Sequence, residues 1–384
     1  MIYHVEKFME VEYNLYMTDY QHITPPRLYR VTSAESIGKD QQSKRRQSNV
    51  ELLRIVAMLG VVVLHINFET FGVPTKNIME AAPVSGIMRV LLEAIFIGAT
   101  NVFVIISGYF GIRFRVKSLL NLLFQCAFFF FGIWIFMMSL GKVPFSLDNI
   151  ARCLMLPHET AWFVKCYLGL YILAPVLNRF IDSCNKKEFI TVLISFYVLQ
   201  SIYGWMANAT NYFSSGYSAY SFVGLYLLGR YVNIHKPSFA LQKNTFNILI
   251  FTLLTIGIAA MIFAGIYCGN PGLVGRSLAY SNPLVIAQAV FALLIFLNFR
   301  LSSSVINWIA ASCFAVFLGH FMIFKYIQNA AVRISESYSG LLMIGLLTAL
   351  VILFFSVCIL VDKIRLLAWN NLSNGLTQFH KSQS

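Results

Sequence analysis

The stretch "VELLRIVAMLGVVVLHINF", Val50 to Phe68, decides what kind of protein this is. It is oily throughout except for a few polar residues, among them Glu51, Arg54 and His65. At ~1.5 Å per helical residue a run of this length crosses about 30 Å of hydrocarbon. Similar apolar runs recur at Leu119 to Leu140, Phe246 to Tyr267 and Leu341 to Val361. Hydrophobic types make up 58% of the 384 residues and charged types only 12%. A soluble core cannot absorb that much apolar surface, and a soluble domain carries roughly 25% charge. The expected solvent is a bilayer.

The pattern reads as an all-α, polytopic transmembrane helix bundle of about ten spans. They fall near 50–68, 87–110, 118–140, 162–181, 189–206, 217–233, 245–267, 284–299, 305–327 and 341–361. Placing the N-terminus inside puts most of the 29 Lys and Arg residues in cytoplasmic segments. That is the bias of the positive-inside rule, and it predicts that both termini are cytoplasmic. Residues 1–49 read as a polar, poorly ordered cytoplasmic segment, 50–361 as one membrane domain and 362–384 as a short cytoplasmic tail. The net charge of +13 thus reflects membrane orientation, and no nucleic-acid partner is expected. The seven cysteines are scattered, without CxxC or Cys/His metal spacing. They read as small buried hydrophobes; no metal is expected, nor a permanently bound cofactor.

Polar groups inside spans are expensive and therefore face protein or water. In the first span Arg54 and His65 stand 11 residues apart, close to three turns, and share a face. Glu51 and Glu69 fall near the same stripe. His65 lies about 22 Å along the axis from Val50, in the outer third. Read alone, His65 fits a packing hydrogen bond as well as chemistry, and Arg54 fits snorkelling to the inner surface. Glu93 on span two, His320 on span nine and "PHETAWF" with His158, Glu159 and Trp162 at the start of span four reach the same depth. Imidazole beside carboxylate is the apparatus of general acid–base catalysis. Glu93 and Glu159 are the carboxylates that depth offers to His65. Trp162 alone also suits an interfacial aromatic belt. The inner cations Arg113, Arg115 and Lys117 fit the orientation rule, anionic lipid or the phosphates of a cytosolic donor.

Four segments together resemble the acyltransferase-3 family of membrane acyltransferases. "LRIVAMLGVVVLH" is similar to its Arg-(ten residues)-His, on Arg54 and His65. "GATNVFVIISGYF" (98–110) is similar to its Gly-Val-Asp-x-Phe-Phe-Val-x-Ser-Gly segment, with Asn101 in place of Asp. "WFVKCYLGLYILAP" (162–175) keeps Trp162, Tyr171 and Pro175 but has Tyr167 in place of Glu, and "CFAVFLGH" resembles the late helix ending at His320. The Arg-x-x-Arg after the second span is replaced by Arg113/Arg115/Lys117. The variant looks more like the surface-polysaccharide or common-antigen O-acyltransferase branch, and like intercellular-adhesin succinyltransferases.

The resemblance implies a multi-pass protein of the bacterial cytoplasmic membrane. It would transfer an acyl group, usually acetyl from acetyl-CoA, to a hydroxyl of a surface glycan or lipid-linked sugar. It implies catalytic roles for His65 and Arg54, with Glu93 and His320 at the same depth. Arg54, Arg113, Arg115 and Lys117 would hold the acyl-CoA, and Glu159, Trp162 and Tyr167 the acceptor. Two other readings stay open on sequence: a glycan or acyl-carrier exporter, and an inactive structural relative.

Overall fold

The computed structural model describes residues 47–157, 160–207 and 212–383, with side chains described to residue 370. The expectation for residues 1–46 lies outside the described residues. Every regular element among the described residues is helical. Eight helices are long and apolar enough to cross a membrane: Ser48–Thr70, Pro83–Phe110, Val116–Ser139, Trp162–Ser183, Lys186–Met206, Asn244–Tyr267, Ser304–Ser337 and Gly340–Asn370. The chain is a multi-pass membrane protein. The expected spans at 217–233 and 284–299 are the helices Ala219–His235 and Pro283–Leu297, of 17 and 15 residues. Both fall short of the roughly 20 residues that cross hydrocarbon unaided.

We number the elements that build the site. Helix α1 is Ser48–Leu64, and it continues as a π-helical turn, His65–Thr70. Helices α2 (Pro83–Phe96) and α3 (Ala99–Phe110) meet at a break around Ile97 and Gly98. Helix α4 is Val116–Ser139, α5 Trp162–Ser183 and α6 Ala219–His235. Helices α7 (Asn244–Tyr267), α8 (Pro283–Leu297), α9 (Cys313–Ser337) and α10 (Gly340–Gln383) complete the set.

Helix α1 is pinned at its start. The Ser48 hydroxyl donates to the Ser303 carbonyl at 3.3 Å and accepts from the Ser303 amide at 3.0 Å, while Asn49 Nδ2 donates to the Phe296 carbonyl at 3.0 Å. These bonds tie the helix start to the segments around Ser303 and Phe296, and where Gln47 supplies no side-chain cap the Val50 amide donates to Asn49 Oδ1 at 3.0 Å. The central contact is between α3 and α6. A Cβ on Gly108 would come within 2.3 Å of the Tyr226 carbonyl oxygen, and one on Gly229 within 2.4 Å of that of Ile105. With no side chain on either helix at the crossing, the backbones approach directly, as small residues permit in membranes. The largest apolar cluster joins α1, α3, α5, α6, α8, α9 and α10. It holds the first helix, with its polar stripe, in the middle of the bundle.

Candidate active site

The polar residues of α1 are gathered at its two ends. At the first, Arg54 Nη1 lies 3.4 Å from Glu51 Oε1, a pairing one turn apart on the same helix. Glu51 is buried, and the Arg54 side chain is 35% exposed. Tyr167 on α5 is near enough to feel the Arg54 charge, and its hydroxyl is 3.2 Å from the Ser107 hydroxyl of α3. Further along α5, Tyr171 accepts from the Arg115 amide at 3.1 Å and donates to the Arg113 carbonyl at 3.3 Å. These bonds fix the backbone after α3, and they leave the Arg113, Arg115 and Lys117 side chains exposed. Arg230 of α6 closes on the same corner, its guanidinium against Gly111. Arg54, Tyr167, Arg113, Arg115 and Arg230 are thus drawn toward one end of the bundle.

At the other end, His65 Nδ1 meets the Glu69 carboxylate, four residues later. Both side chains are partly exposed, His65 at 33% and Glu69 at 52%. The helix between them is π-wound, with the Thr70 hydroxyl donating back to the His65 carbonyl at 2.9 Å. π turns are uncommon, and they cluster at functional sites because they re-aim side chains. The His320 ring of α9 packs on the His65 ring with centroids 4.8 Å apart, and Phe324 meets its edge at 5.1 Å. His320 is buried, and Phe317 packs on it at 5.1 Å. The imidazole of His65 is therefore held by a carboxylate at one nitrogen and by rings on its sides.

Depth alone offered Glu93 and Glu159 as partners for His65. The structure gives that contact to Glu69. Glu93 is buried and accepts from Asn67 Nδ2 at 2.8 Å. Asn67 in turn accepts from Arg89 Nε at 3.2 Å, so one amide bridges the acid and base of α2. Arg89 also donates to the Gly72 carbonyl, which ties the loop after the π turn to α2. Glu93 thus braces the segment that carries His65. Glu159 lies outside the described residues.

Asn101, where the family pattern has Asp, is 1% exposed and donates from Nδ2 to the Tyr280 carbonyl at 2.9 Å. A carboxylate cannot donate that bond, so the departure from the pattern is matched to its surroundings. The Tyr280 phenol lies near the Thr100 and Tyr217 hydroxyls. Burial pushes the Tyr280 phenol up from its ordinary value, so it stays a neutral hydroxyl. Trp162 packs on both tyrosines, 4.5 Å from Tyr217 and 5.7 Å from Tyr280 between ring centroids. Glu69 and Glu93 act electrostatically on Tyr280, which puts this aromatic group at the His65 end.

With this geometry in view, a family model decides the class. The acyltransferase-3 model, an acyltransferase domain, matches residues 47–363. The chain belongs to that family. No curated protein and no solved structure matches it significantly. This acyltransferase is therefore a multi-pass membrane member of the family, and the matched region contains both ends of the α1 stripe. Among the described residues no group of three or more His, Cys, Asp or Glu side chains is arranged to hold a metal ion. Sequence reasoning put Glu69 on the His65 stripe but did not pair the two. It passed over Asn67, Phe324, Tyr217 and Tyr280, for which no motif stood out.

Proposed function

We propose that this acyltransferase moves an acyl group, acetyl by first expectation, from acyl-CoA to a hydroxyl of a cell-surface polysaccharide or lipid-linked sugar. His65 acts as the general base. The observation that carries the reading is the Glu69 carboxylate on His65 Nδ1. A carboxylate there accepts from Nδ1–H, which leaves the lone pair of the neutral ring on Nε2. It also stabilises the imidazolium that forms when Nε2 takes a proton.

The chemistry follows from that tautomer. A sugar hydroxyl is a weak nucleophile, and losing its proton to Nε2 as it attacks strengthens it. The new C–O bond forms at the thioester carbonyl carbon, and a tetrahedral oxyanion results. When the C–S bond breaks, the sulfur takes the proton back from His65 and leaves as the free thiol. His320, packed on the His65 ring, positions the imidazole. It carries no proton in this step.

The two ends of α1 suit two substrates. We assign the Arg54 end to the cytoplasmic side, where Arg113, Arg115, Lys117 and Arg230 would meet the donor's phosphates as charge-assisted partners. Along α1, Arg54 and His65 are separated by about 16 Å, the gap the donor's extended arm would bridge. The aromatic residues at the His65 end, Trp162 first, would meet the acceptor, with Tyr167 between the two sites. The setting is the bacterial cytoplasmic membrane.

The test compares surface glycans by mass spectrometry from cells with the wild-type protein and with His65→Ala. The expected result is loss of the acyl modification at equal protein abundance. Acylation persisting at the wild-type level would refute His65 as the base.

A further inference from the structure

The Trp162, Tyr217 and Tyr280 group has a construction that interfacial packing alone does not require. Two irregular segments deliver it. Trp162 follows Ala161, a left-handed residue at φ 50°, and Tyr217 follows Ser214, Ser215 and Gly216 at φ 43°, 54° and 98°. Left-handed non-glycine residues cost free energy and persist where the surrounding structure enforces them, often at binding sites. The enforcement is visible here. The Ser281 amide donates to the Ser215 carbonyl at 3.1 Å, and the Ser281 hydroxyl to the Gly204 carbonyl at 2.8 Å. Gly216 lies so close to Tyr280 that a Cβ there would come within 2.5 Å of the tyrosine's own Cβ. Asn101 fixes Tyr280 from the side of α3.

The three rings form a closed triangle, since Tyr217 and Tyr280 are also 4.8 Å apart. Tyr217 remains 45% exposed although it is anchored on both neighbours. An aromatic face is negative at its centre and apolar. The C–H face of a pyranose is apolar and slightly positive, with its hydroxyls directed outward around the rim. Stacking such a ring on Tyr217 or Trp162 would leave those hydroxyls free to meet the Glu69 and His65 side chains at the same end. A lipid chain would gain the apolar contact but would not use the adjoining carboxylates.

We propose that Trp162, Tyr217 and Tyr280 form a stacking platform that binds a pyranose ring of the acceptor and presents one of its hydroxyls to His65. The proposal rests on the acyl-transfer reading above and assigns the sugar subsite within it. Tyr217 is the exposed contact, Trp162 the second face, and Tyr280 the half-buried support.

The experiment uses the full chain in detergent micelles. Intrinsic tryptophan fluorescence is followed while maltotriose or chitotriose is added, with glycerol as a ring-free polyol. A saturable change with at least one trisaccharide and none with glycerol is expected. Tyr217→Ala should weaken that affinity about tenfold, equal to about 1.4 kcal/mol. Tyr217→Phe keeps the stacking ring and should retain the affinity; this variant separates a stacking role from a folding defect. Trp162→Phe should remove most of the fluorescence response. No saturable change with either sugar, or an unchanged affinity in Tyr217→Ala, overturns the platform. Donor is absent from the titration, so the outcome is independent of catalysis. If glycan acylation proves indifferent to His65 while Tyr217→Ala still loses the trisaccharide, the base assignment fails and the platform stands.

Discussion

Two ion-paired clusters in this bundle use similar groups to opposite ends. Between α4 and α10, Arg365 Nε lies 2.6 Å from Asp362 Oδ1, and the two side chains are 2% and 0% exposed. Gln125 donates to the same Asp362 oxygen at 3.0 Å, and Arg365 Nη1 donates to Asn121 at 3.1 Å. Across the bundle, His65 meets Glu69 with 33% and 52% of their side chains exposed. The first cluster is sealed, and its geometry holds two helices together. The second is open on one side and held by rings on the others. A buried pair whose partners are all protein does structural work. A half-open pair whose second ring nitrogen meets no partner among the described residues has something left to offer a substrate.

The largest effect should come from breaking the sealed pair. Arg365→Ala leaves the buried Asp362 without its main partner, a loss of about 3–5 kcal/mol. Thermal unfolding in detergent should show it as a large drop in midpoint, and an unchanged midpoint would contradict the structural role. Next comes the open pair. Glu69→Leu should reduce turnover about 10²-fold by freeing the imidazole and removing the charge that stabilises its protonated form. Both Glu69 and His65 are partly exposed, so stability should shift by no more than about 0.5 kcal/mol. If Glu69→Leu unfolds the protein instead, the contrast between the clusters disappears.

Two smaller effects sharpen the same contrast. Asn101→Asp replaces a buried donor with an acceptor against the Tyr280 carbonyl, at a cost of about 1–3 kcal/mol. Its check is the unfolding midpoint together with trisaccharide affinity, both of which should fall. Replacing the sealed pair whole, as Asp362→Leu with Arg365→Leu, should recover most of what Arg365→Ala loses, to within about 2 kcal/mol of the parent. Glycan acylation should survive in that double variant. A double variant as unstable as Arg365→Ala would mean that the charges themselves carry the packing.

Much of this was legible in the chain. The apolar runs announced a helical membrane bundle, because hydrocarbon admits few alternatives. The 11-residue spacing of Arg54 and His65 put both on one stripe, and the motifs around them carried the family. His65 and Glu69 stand four apart, the spacing at which helix neighbours meet, so their pairing was within reach of the same arithmetic. Matching depth across helices drew attention to Glu93 instead, and depth does not determine which side chains face each other. Asn67 takes up Glu93, a contact that depends on how α2 crosses the π turn. The platform was hidden for a different reason: Tyr217 and Tyr280 come from irregular segments more than 60 residues apart, joined by backbone geometry that no periodicity encodes. Ala219–His235 and Pro283–Leu297, read as spans, are shorter than the eight long apolar helices.

Glu69 and His65 are expected to work as one unit, and a double-mutant cycle measures whether they do. Acyl transfer to glycan is measured for His65→Ala, Glu69→Ala and the double variant, each at matched protein abundance. If Glu69 acts only through the imidazole, removing it from a protein that already lacks His65 changes nothing further, and the double variant equals His65→Ala. Losses that multiply, so that the double variant is slower than His65→Ala by the full Glu69→Ala factor, would show two independent groups and contradict the account.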